Sequence, residues 1–277
     1  MEINISNVKY KYDKDNVLNG INMSIEDGKI TGILGKSGSG KTTLLEMFNA
    51  LRIPTEGIIK IDQFNIEKGS RIDLNKLRFI VGLVSSFPED MFFYKTVKEE
   101  LESILKFYNY NKNKIEYRII SSLQMVGLNE LYLYKKIDEL SNSEKRKIAL
   151  AKTLLLNPSV IILDEPTIGF DSESEKNFIK LLKLLKRRYN KTIIIATHNT
   201  ELIHKLVDYI YIIDNGKVVL KGNKYDIFKE EKKIRKYNIK SPKIIEFSNS
   251  VLNKKKLKIG YRDEINDLIK DIYRYVK

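Results

Sequence analysis

The 277-residue chain has no cysteine and only two histidines, His198 and His204. Without cysteine there is no disulfide framework, no thiolate zinc site and no thiol nucleophile. Two imidazoles also make a histidine-based metal cluster unexpected. Long apolar runs are missing: none approaches the roughly 18–20 residues that a bilayer-spanning helix requires. The opening Met1-Glu2-Ile3-Asn4 has no basic stretch followed by a hydrophobic one, so no export signal is expected. Charge, by contrast, is abundant. Fifty Lys and Arg stand against thirty-six Asp and Glu, a net +14, in a chain that is 42% hydrophobic and 31% charged. That balance describes a globular chain long enough for a substantial core, not a disordered or membrane-embedded one.

Apolar and β-branched runs recur at Ile30–Leu34, 58–61, 80–84, 160–163, 193–197 and 209–213. The runs at 160–163 and 193–197 are nearly continuous, as expected of parallel strands covered on both faces. Helical patterns lie between them. From Glu144 to Leu156 the residues Ile148, Ala149, Ala151, Leu154 and Leu155 share one side, and Pro158 stops the run. A second pattern from Phe178 to Lys186 ends in basic residues, which suits a helix C-terminus. Alternation of this kind predicts an α/β core. The stretch from Thr96 to about Leu140 has little strand character and reads as an inserted helical subdomain. No internal repeat is present. From Lys229 to Lys277 there are 15 Lys and Arg against 7 Asp and Glu, so 15 − 7 = +8 of the net charge sits in the last 49 residues. Within that segment Ile265, Leu268, Ile269, Ile272 and Val276 fall at helical spacing, which predicts a small helical extension.

The chemistry begins at Gly35-Lys36-Ser37-Gly38-Ser39-Gly40-Lys41-Thr42, an ungapped G-x-x-x-x-G-K-[ST]. It follows the strand pattern at Ile30–Leu34 and precedes the helical stretch that opens at Thr43, the context that such a phosphate-binding loop requires. Glycines let backbone N–H groups approach phosphate closely, and a helix N-terminus adds positive dipole. Lys41 is expected to reach the β- and γ-phosphates and the Thr42 hydroxyl to ligate Mg²⁺; Thr43 is grouped with the nucleotide-binding residues. Downstream, the strand at 160–163 runs into Asp164 and Glu165. Asp164 is a candidate Mg²⁺ ligand, and Glu165 is placed to polarise an attacking water. His198, just past the strand at 193–197, faces the same crevice; His204 is read as structural.

These motifs, in this order, resemble those of ATP-binding-cassette (ABC) ATPases over roughly Met1 to Lys229. The resemblance implies a P-loop NTPase core with an antiparallel β subdomain, a helical subdomain at about 88–155 and a C-terminal extension at 230–277. It also implies that Gly169-Phe170-Asp171 is the D-loop, His198 the switch histidine and Tyr12 the ring that stacks on adenine. Within the family, Val81-Gly82-Leu83-Val84 with Phe87-Pro88-Glu89 is most similar to the ATPases of energy-coupling-factor (ECF) importers.

Two departures from the family pattern stand out. Ser86 occupies the position of a glutamine that contacts Mg²⁺ and couples to the membrane partner; a serine is expected to reach the metal only through water. The signature Leu-Ser-Gly-Gly-Gln reads Leu140-Ser141-Asn142-Ser143-Glu144. Cβ atoms thereby enter where backbone must approach the opposite subunit's nucleotide. At 6–8 Å and an effective dielectric near 20, the Glu144 charge is expected to cost roughly 2–3 kcal/mol against a triphosphate. Since Lys41, Asp164, Glu165 and His198 are intact, the expectation is an asymmetric heterodimer. This chain's loop would hold the competent site, completed by a second ABC ATPase with an intact signature.

The implied function is ATP hydrolysis driving uptake of a vitamin or other micronutrient. The implied partners are an integral membrane coupling subunit and a substrate-binding membrane subunit, at the cytoplasmic face of the cell membrane. The segment Phe87–Tyr94 is a candidate groove for a membrane partner's coupling helix, beside its share of core packing. For the basic tail, solvated surface, attraction to anionic lipid and nucleic-acid binding stay open. A nucleic-acid- or ribosome-associated ABC ATPase and a mainly regulatory ATP-binding subunit are the alternative functions. Against the first, Lys41 and Ser141 are only 100 positions apart, too close for an inserted coiled coil, and the chain has one cassette. No nucleic-acid partner is therefore expected.

Overall fold

The computed structural model describes residues 2–13, 15–255, 262–263 and 265–276. Strands β1 (Ile3–Tyr12) and β2 (Asp15–Ile25) form a hairpin, followed by β3 (Ile30–Leu34) and helix α1 (Lys41–Phe48). Next come β4 (Glu56–Ile61), β5 (Phe64–Ile66), α2 (Leu74–Ile80) and β6 (Val81–Val84). A strand-free stretch holds α3 (Val97–Phe107), α4 (Ile115–Met125) and α5 (Asn142–Leu154). The chain then alternates through β7 (Val160–Asp164), α6 (Ser172–Tyr189), β8 (Thr192–Thr197), α7 (Thr200–Leu206) and β9 (Tyr209–Asp214). It closes with β10 (Lys217–Asn223), α8 (Lys224–Lys229), α9 (Glu231–Arg235), α10 (Lys243–Lys255) and α11 (Ile265–Val276).

Two sheets result. The larger has the order β10-β9-β3-β8-β7-β6, parallel throughout except for β10. The smaller, β2-β1-β4-β5, is antiparallel. Every residue of β3, β7 and β8 is buried, because alternate side chains feed different cores. Ile30, Leu34, Leu163 and Ile195 join the core under α5, α6 and the helical stretch. Ile33, Ile162 and Ile194 join the core that α1 shares with the antiparallel sheet. Helix α1 is thus clamped between two sheets, with Leu44, Leu45, Met47 and Phe48 inaccessible to solvent. A sandwiched helix is a rigid mount for the loop that precedes it.

The C-terminal helices are tied back to the core. Ile227, Phe228, Ile234, Ile239 and Ile245 enter the first core, and Lys243 N–H donates to the Glu201 carboxylate of α7 at 2.8 Å. Some of the extension's charges are paired, within it or with α8. Asp263 accepts from Lys224 and Tyr225, Asp271 from Arg262, and Glu231 lies near Arg235. Part of the basic tail, 256–261, lies outside the described residues. Among the described residues no helix is long and apolar enough to cross a membrane.

His204 has the structural place read from its sequence. It is 1% exposed, packed edge-on against Tyr225, and its Nε2 stands 3.8 Å from Asp263 with no hydrogen-bond partner among the described residues. Burial, reinforced by Lys224, holds its pKa below the ordinary value against the opposing pull of Asp263 and Glu201, while Lys205 also lowers it. With the folded pKa depressed, the unfolded chain takes the proton first. The contribution is therefore complete above about pH 6.5 and is lost as pH falls toward the folded value. Urea midpoints should fall between pH 7 and 5, and His204→Gln should flatten that slope. Parallel slopes for the two proteins would remove His204 as the source.

Candidate nucleotide-binding and hydrolytic site

The sheet order brings the predicted residues together. The carboxyl ends of the adjacent strands β3, β8, β7 and β6 lead into the Gly35–Gly40 loop, His198, Asp164-Glu165 and Ser86 respectively. Ligand crevices of parallel α/β sheets form at that edge.

The loop wraps around Lys41, whose Nζ donates to the carbonyls of Gly35 at 2.7 Å and Lys36 at 3.0 Å. Burial pulls the Lys41 pKa below the ordinary lysine value, partly offset by Glu165 and Asp164. Helix α1 starts at Gly40 with no side-chain cap, so its first-turn N–H groups stay available to an anion. The glycines divide their roles. Gly38 and Gly40 have φ of +76° and +101°, the left-handed region. Gly35 does not; a Cβ there would lie 2.4 Å from the Ile213 carbonyl oxygen and 2.6 Å from Ser39 Oγ. Its smallness therefore serves packing against β9, where the sequence suggested approach to phosphate. Lys36 Nζ pairs with Asp214 at 3.3 Å, Ser37 is exposed, and the buried Ser39 hydroxyl has no partner.

Thr42 Oγ1 donates to Asp164 Oδ2 at 2.7 Å, which brings the two candidate metal ligands together. Asp164 is 2% exposed, and its Oδ1 is buried without a hydrogen-bond partner. Burial pushes its pKa up and Glu165 adds to that, while Thr42, Lys41 and the Ser86 hydroxyl pull it down. A buried carboxylate oxygen left unsatisfied needs a partner, and carboxylate with hydroxyl is a donor set suited to a hard cation. Among the described residues no three His, Cys, Asp or Glu side chains cluster as ligands, so further ligands would have to be hydroxyl, water or phosphate.

Glu165 and His198 are also joined. The Glu165 carboxylate accepts from Thr197 Oγ1 at 2.7 Å, from His198 N–H at 3.0 Å, and lies 2.8 Å from His198 Nδ1. Its φ of +44° is unusual for a side chain of this size. A backbone bond from its own N–H to the Ala196 carbonyl, 2.8 Å long, helps to hold that conformation.

Tyr12 ends β1 with its hydroxyl 3.5 Å from Thr43 Oγ1, which places the ring beside the loop. Sequence patterns gave no hint of its neighbour Arg52, whose guanidinium lies 4.7 Å from the Tyr12 ring centre and is held by Glu46 and Tyr10. Arg146, also unmarked by any motif reading, donates to the backbone of Ser86 and Glu165.

In the signature segment Ser141 caps α5, and Glu144 returns the bond to Ser141 N–H at 2.8 Å, a reciprocal capping box. The Glu144 carboxylate also accepts from Tyr132 Oη at 2.5 Å and Lys135 Nζ at 3.4 Å. The Tyr132 bond leads in lowering its pKa to about 2, with burial opposing and Ser141 and Lys135 assisting. The charge thus has hydrogen-bond and ionic partners within the subunit, Tyr132, Ser141 and Lys135, that the sequence did not reveal. Asn142 is exposed and Ser143 half-buried at the start of α5.

The Phe87–Tyr94 segment is buried in part and exposed in part. Pro88 is buried and Met91 and Phe92 pack on the core, while Phe93 is 83% exposed. Beside the segment lies a cavity of about 470 Å³ bordered by Arg78, Asp90, Met91, Ile104 and Tyr108.

This geometry is that of an ABC ATPase, and the comparisons agree. Residues 18–168 match the ABC transporter family, and the chain belongs to it. It is 33% identical over 260 residues to the energy-coupling factor transporter ATP-binding protein EcfA2 of Clostridium perfringens, covering 92% of this chain and 91% of that one. Among solved structures, cbiO1 from Clostridium perfringens, part of the ABC transporter complex cbiONQ, aligns with a TM-score of 0.74 and 33% identity. That alignment covers 89% of this chain and 98% of cbiO1. The dimeric post-hydrolysis state of the cassette MJ0796 with ADP and Pi aligns at 0.73 and 28% identity, covering 80% and 98%. More particularly, the chain is the ATPase subunit of an ECF-type importer, in which ATP hydrolysis is coupled to transport.

Proposed function

We propose that this chain binds ATP with Mg²⁺ on the Gly35–Thr43 loop and hydrolyses it through Glu165. The supporting observation is the Thr42–Asp164 pair, with its orphaned buried Oδ1, beside the Glu165–His198 pair on adjacent strand ends. Lys41 and the open N-terminus of α1 bind the phosphates. Thr42 and Asp164 hold Mg²⁺, with Ser86 reaching it through water, and the ion supplies charge neutralisation at the transferred phosphoryl group. Glu165 takes the proton of the attacking water, and His198 and Thr197 hold the carboxylate toward it. Tyr12 stacks on adenine, backed by Arg52.

The chain works as half of an asymmetric heterodimer, because Asn142 and Ser143 place side chains where the partner's nucleotide meets backbone. The other ATPase supplies an intact signature. A membrane coupling subunit docks at the cavity bordered by Asp90 and Met91, and a substrate-binding membrane subunit selects the vitamin or other micronutrient. The complex sits at the cytoplasmic face of the cell membrane.

Gentle purification from detergent-solubilised membranes tests this reading. Recovery with a second ATPase and a multi-spanning protein supports it. Recovery with ribosomes or nucleic acid, and no membrane protein, would replace it with a nucleic-acid-associated role.

A further inference from the structure

Arg146 takes no part in the assignments above, yet it is among the most buried cations of the chain, 9% exposed. It lies in the second turn of α5, five positions after Ser141. One guanidinium nitrogen donates to the Ser86 carbonyl at 2.8 Å and the other to the Glu165 carbonyl at 3.2 Å. Those acceptors lie just past the ends of two neighbouring strands, β6 and β7. Burial pulls its pKa below the ordinary arginine value, and the carboxylates of Glu89, Glu165 and Asp164 offset only part of that. It also borders a cavity of about 160 Å³, so its place is set by two polar contacts more than by close packing all round.

A guanidinium is a rigid planar fork, and two bonds from one fork fix the distance between their acceptors. At Glu165 that matters, because φ is +44° and a side-chain-bearing residue keeps such a conformation only when its surroundings hold it there. The bonds to Ala196, Thr197 and His198 hold the N–H and the carboxylate. The Arg146 bond secures the carbonyl.

We propose that Arg146 is a positioning residue for hydrolysis, locking the Glu165 backbone to the Ser86 segment and tying both to the signature helix. A shift of α5 when the partner's nucleotide binds is then transmitted to the carboxylate that acts on this chain's own. The proposal rests on the role given to Glu165.

The test uses the assembled complex, with Arg146→Met, Arg146→Lys and Glu165→Gln made separately in this chain. Misplacing a catalytic group by about 1 Å can cost on the order of 100-fold. Arg146→Met is therefore expected to lower kcat by about 30- to 100-fold, while the Kd of a fluorescent ATP analogue stays within about twofold. Arg146→Lys, which keeps the charge and reaches one carbonyl but not both, should recover about a third of the loss on a logarithmic scale. Unchanged kcat in Arg146→Met overturns the proposal, as does an equal loss of kcat and ATP affinity, which is the mark of general misfolding. If Arg146→Met does not fold, Arg146→Lys decides alone: reduced kcat at unchanged affinity supports the lock, and normal kcat overturns it. Hydrolysis surviving Glu165→Gln would remove the assignment of Glu165 itself. Loss with Glu165→Gln but not with either Arg146 variant overturns the positioning role only.

Discussion

Glu165→Gln should lower steady-state ATP hydrolysis by the assembled pair by about 1,000-fold, because a positioned general base contributes roughly 10²–10⁴. That loss corresponds to about 4 kcal/mol of transition-state stabilisation. The amide matches the carboxylate in size: its oxygen can accept from the His198 N–H in the place of Oε1, and its NH₂, in the place of Oε2, can donate to the Thr197 hydroxyl, which turns from donor to acceptor. ATP affinity and thermal stability should therefore stay near those of the unaltered chain. The same substitution at the partner's equivalent acid should have a smaller effect. In the proposed heterodimer that residue serves the site closed by this chain's Asn142-Ser143, the weaker of the two. Losses of equal size from the two substitutions would sink the asymmetric arrangement. Single-turnover measurements add a further distinction: no hydrolysis even by the unaltered complex would make this chain a regulatory ATP-binding subunit.

What sequence could show follows from how local each feature is. The loop from Gly35 to Thr42 is contiguous, and its strand and helix flanks carry their own patterns, so site and scaffold were legible together. Strands β3, β7 and β8 were equally plain, since burial on both faces writes an unbroken apolar run. Strands β1, β2, β5 and β10 mix buried and exposed positions, and β1 shifts register three times against β2. Their period is blurred, and only the family resemblance anticipated an antiparallel sheet. Arg52 and Arg146 act through contacts with residues 40 and 60 positions away, Tyr12 and Ser86, which no local pattern encodes. Glu144 teaches a different lesson. The Ser141-x-x-Glu144 spacing is a readable capping box, but the partners of its carboxylate, Tyr132 and Lys135, are brought to it only by the fold. Counting charges along the basic tail likewise says nothing of pairs such as Arg262–Asp271 and Arg235–Glu231.

Asp164→Asn should invert the order of stability between the free and the loaded protein. Without nucleotide the carboxylate is a liability: it is buried, one oxygen has no partner, and burial disfavours its charge. Asparagine removes the charge and keeps an oxygen to accept from the Thr42 hydroxyl. The apo variant should gain about 1–2 kcal/mol, or about 2–8 °C at the usual slope for a chain of this size. ATP with Mg²⁺ at about 100 times its Kd should stabilise the unaltered protein by about 2.7 kcal/mol through binding to the folded state alone. The variant, lacking the anionic ligand, should forfeit most of that, with Mg²⁺-dependent ATP affinity down by about 100-fold or more. Thermal unfolding with and without ATP, each in Mg²⁺ and in chelator, separates the two effects. In chelator the variant should melt higher than the unaltered chain under both conditions. In Mg²⁺ with ATP it should melt lower. A variant already less stable without ligand would mean that the Asp164 carboxylate is satisfied by the protein itself, and the case for a metal at Thr42 and Asp164 would lose its physical basis.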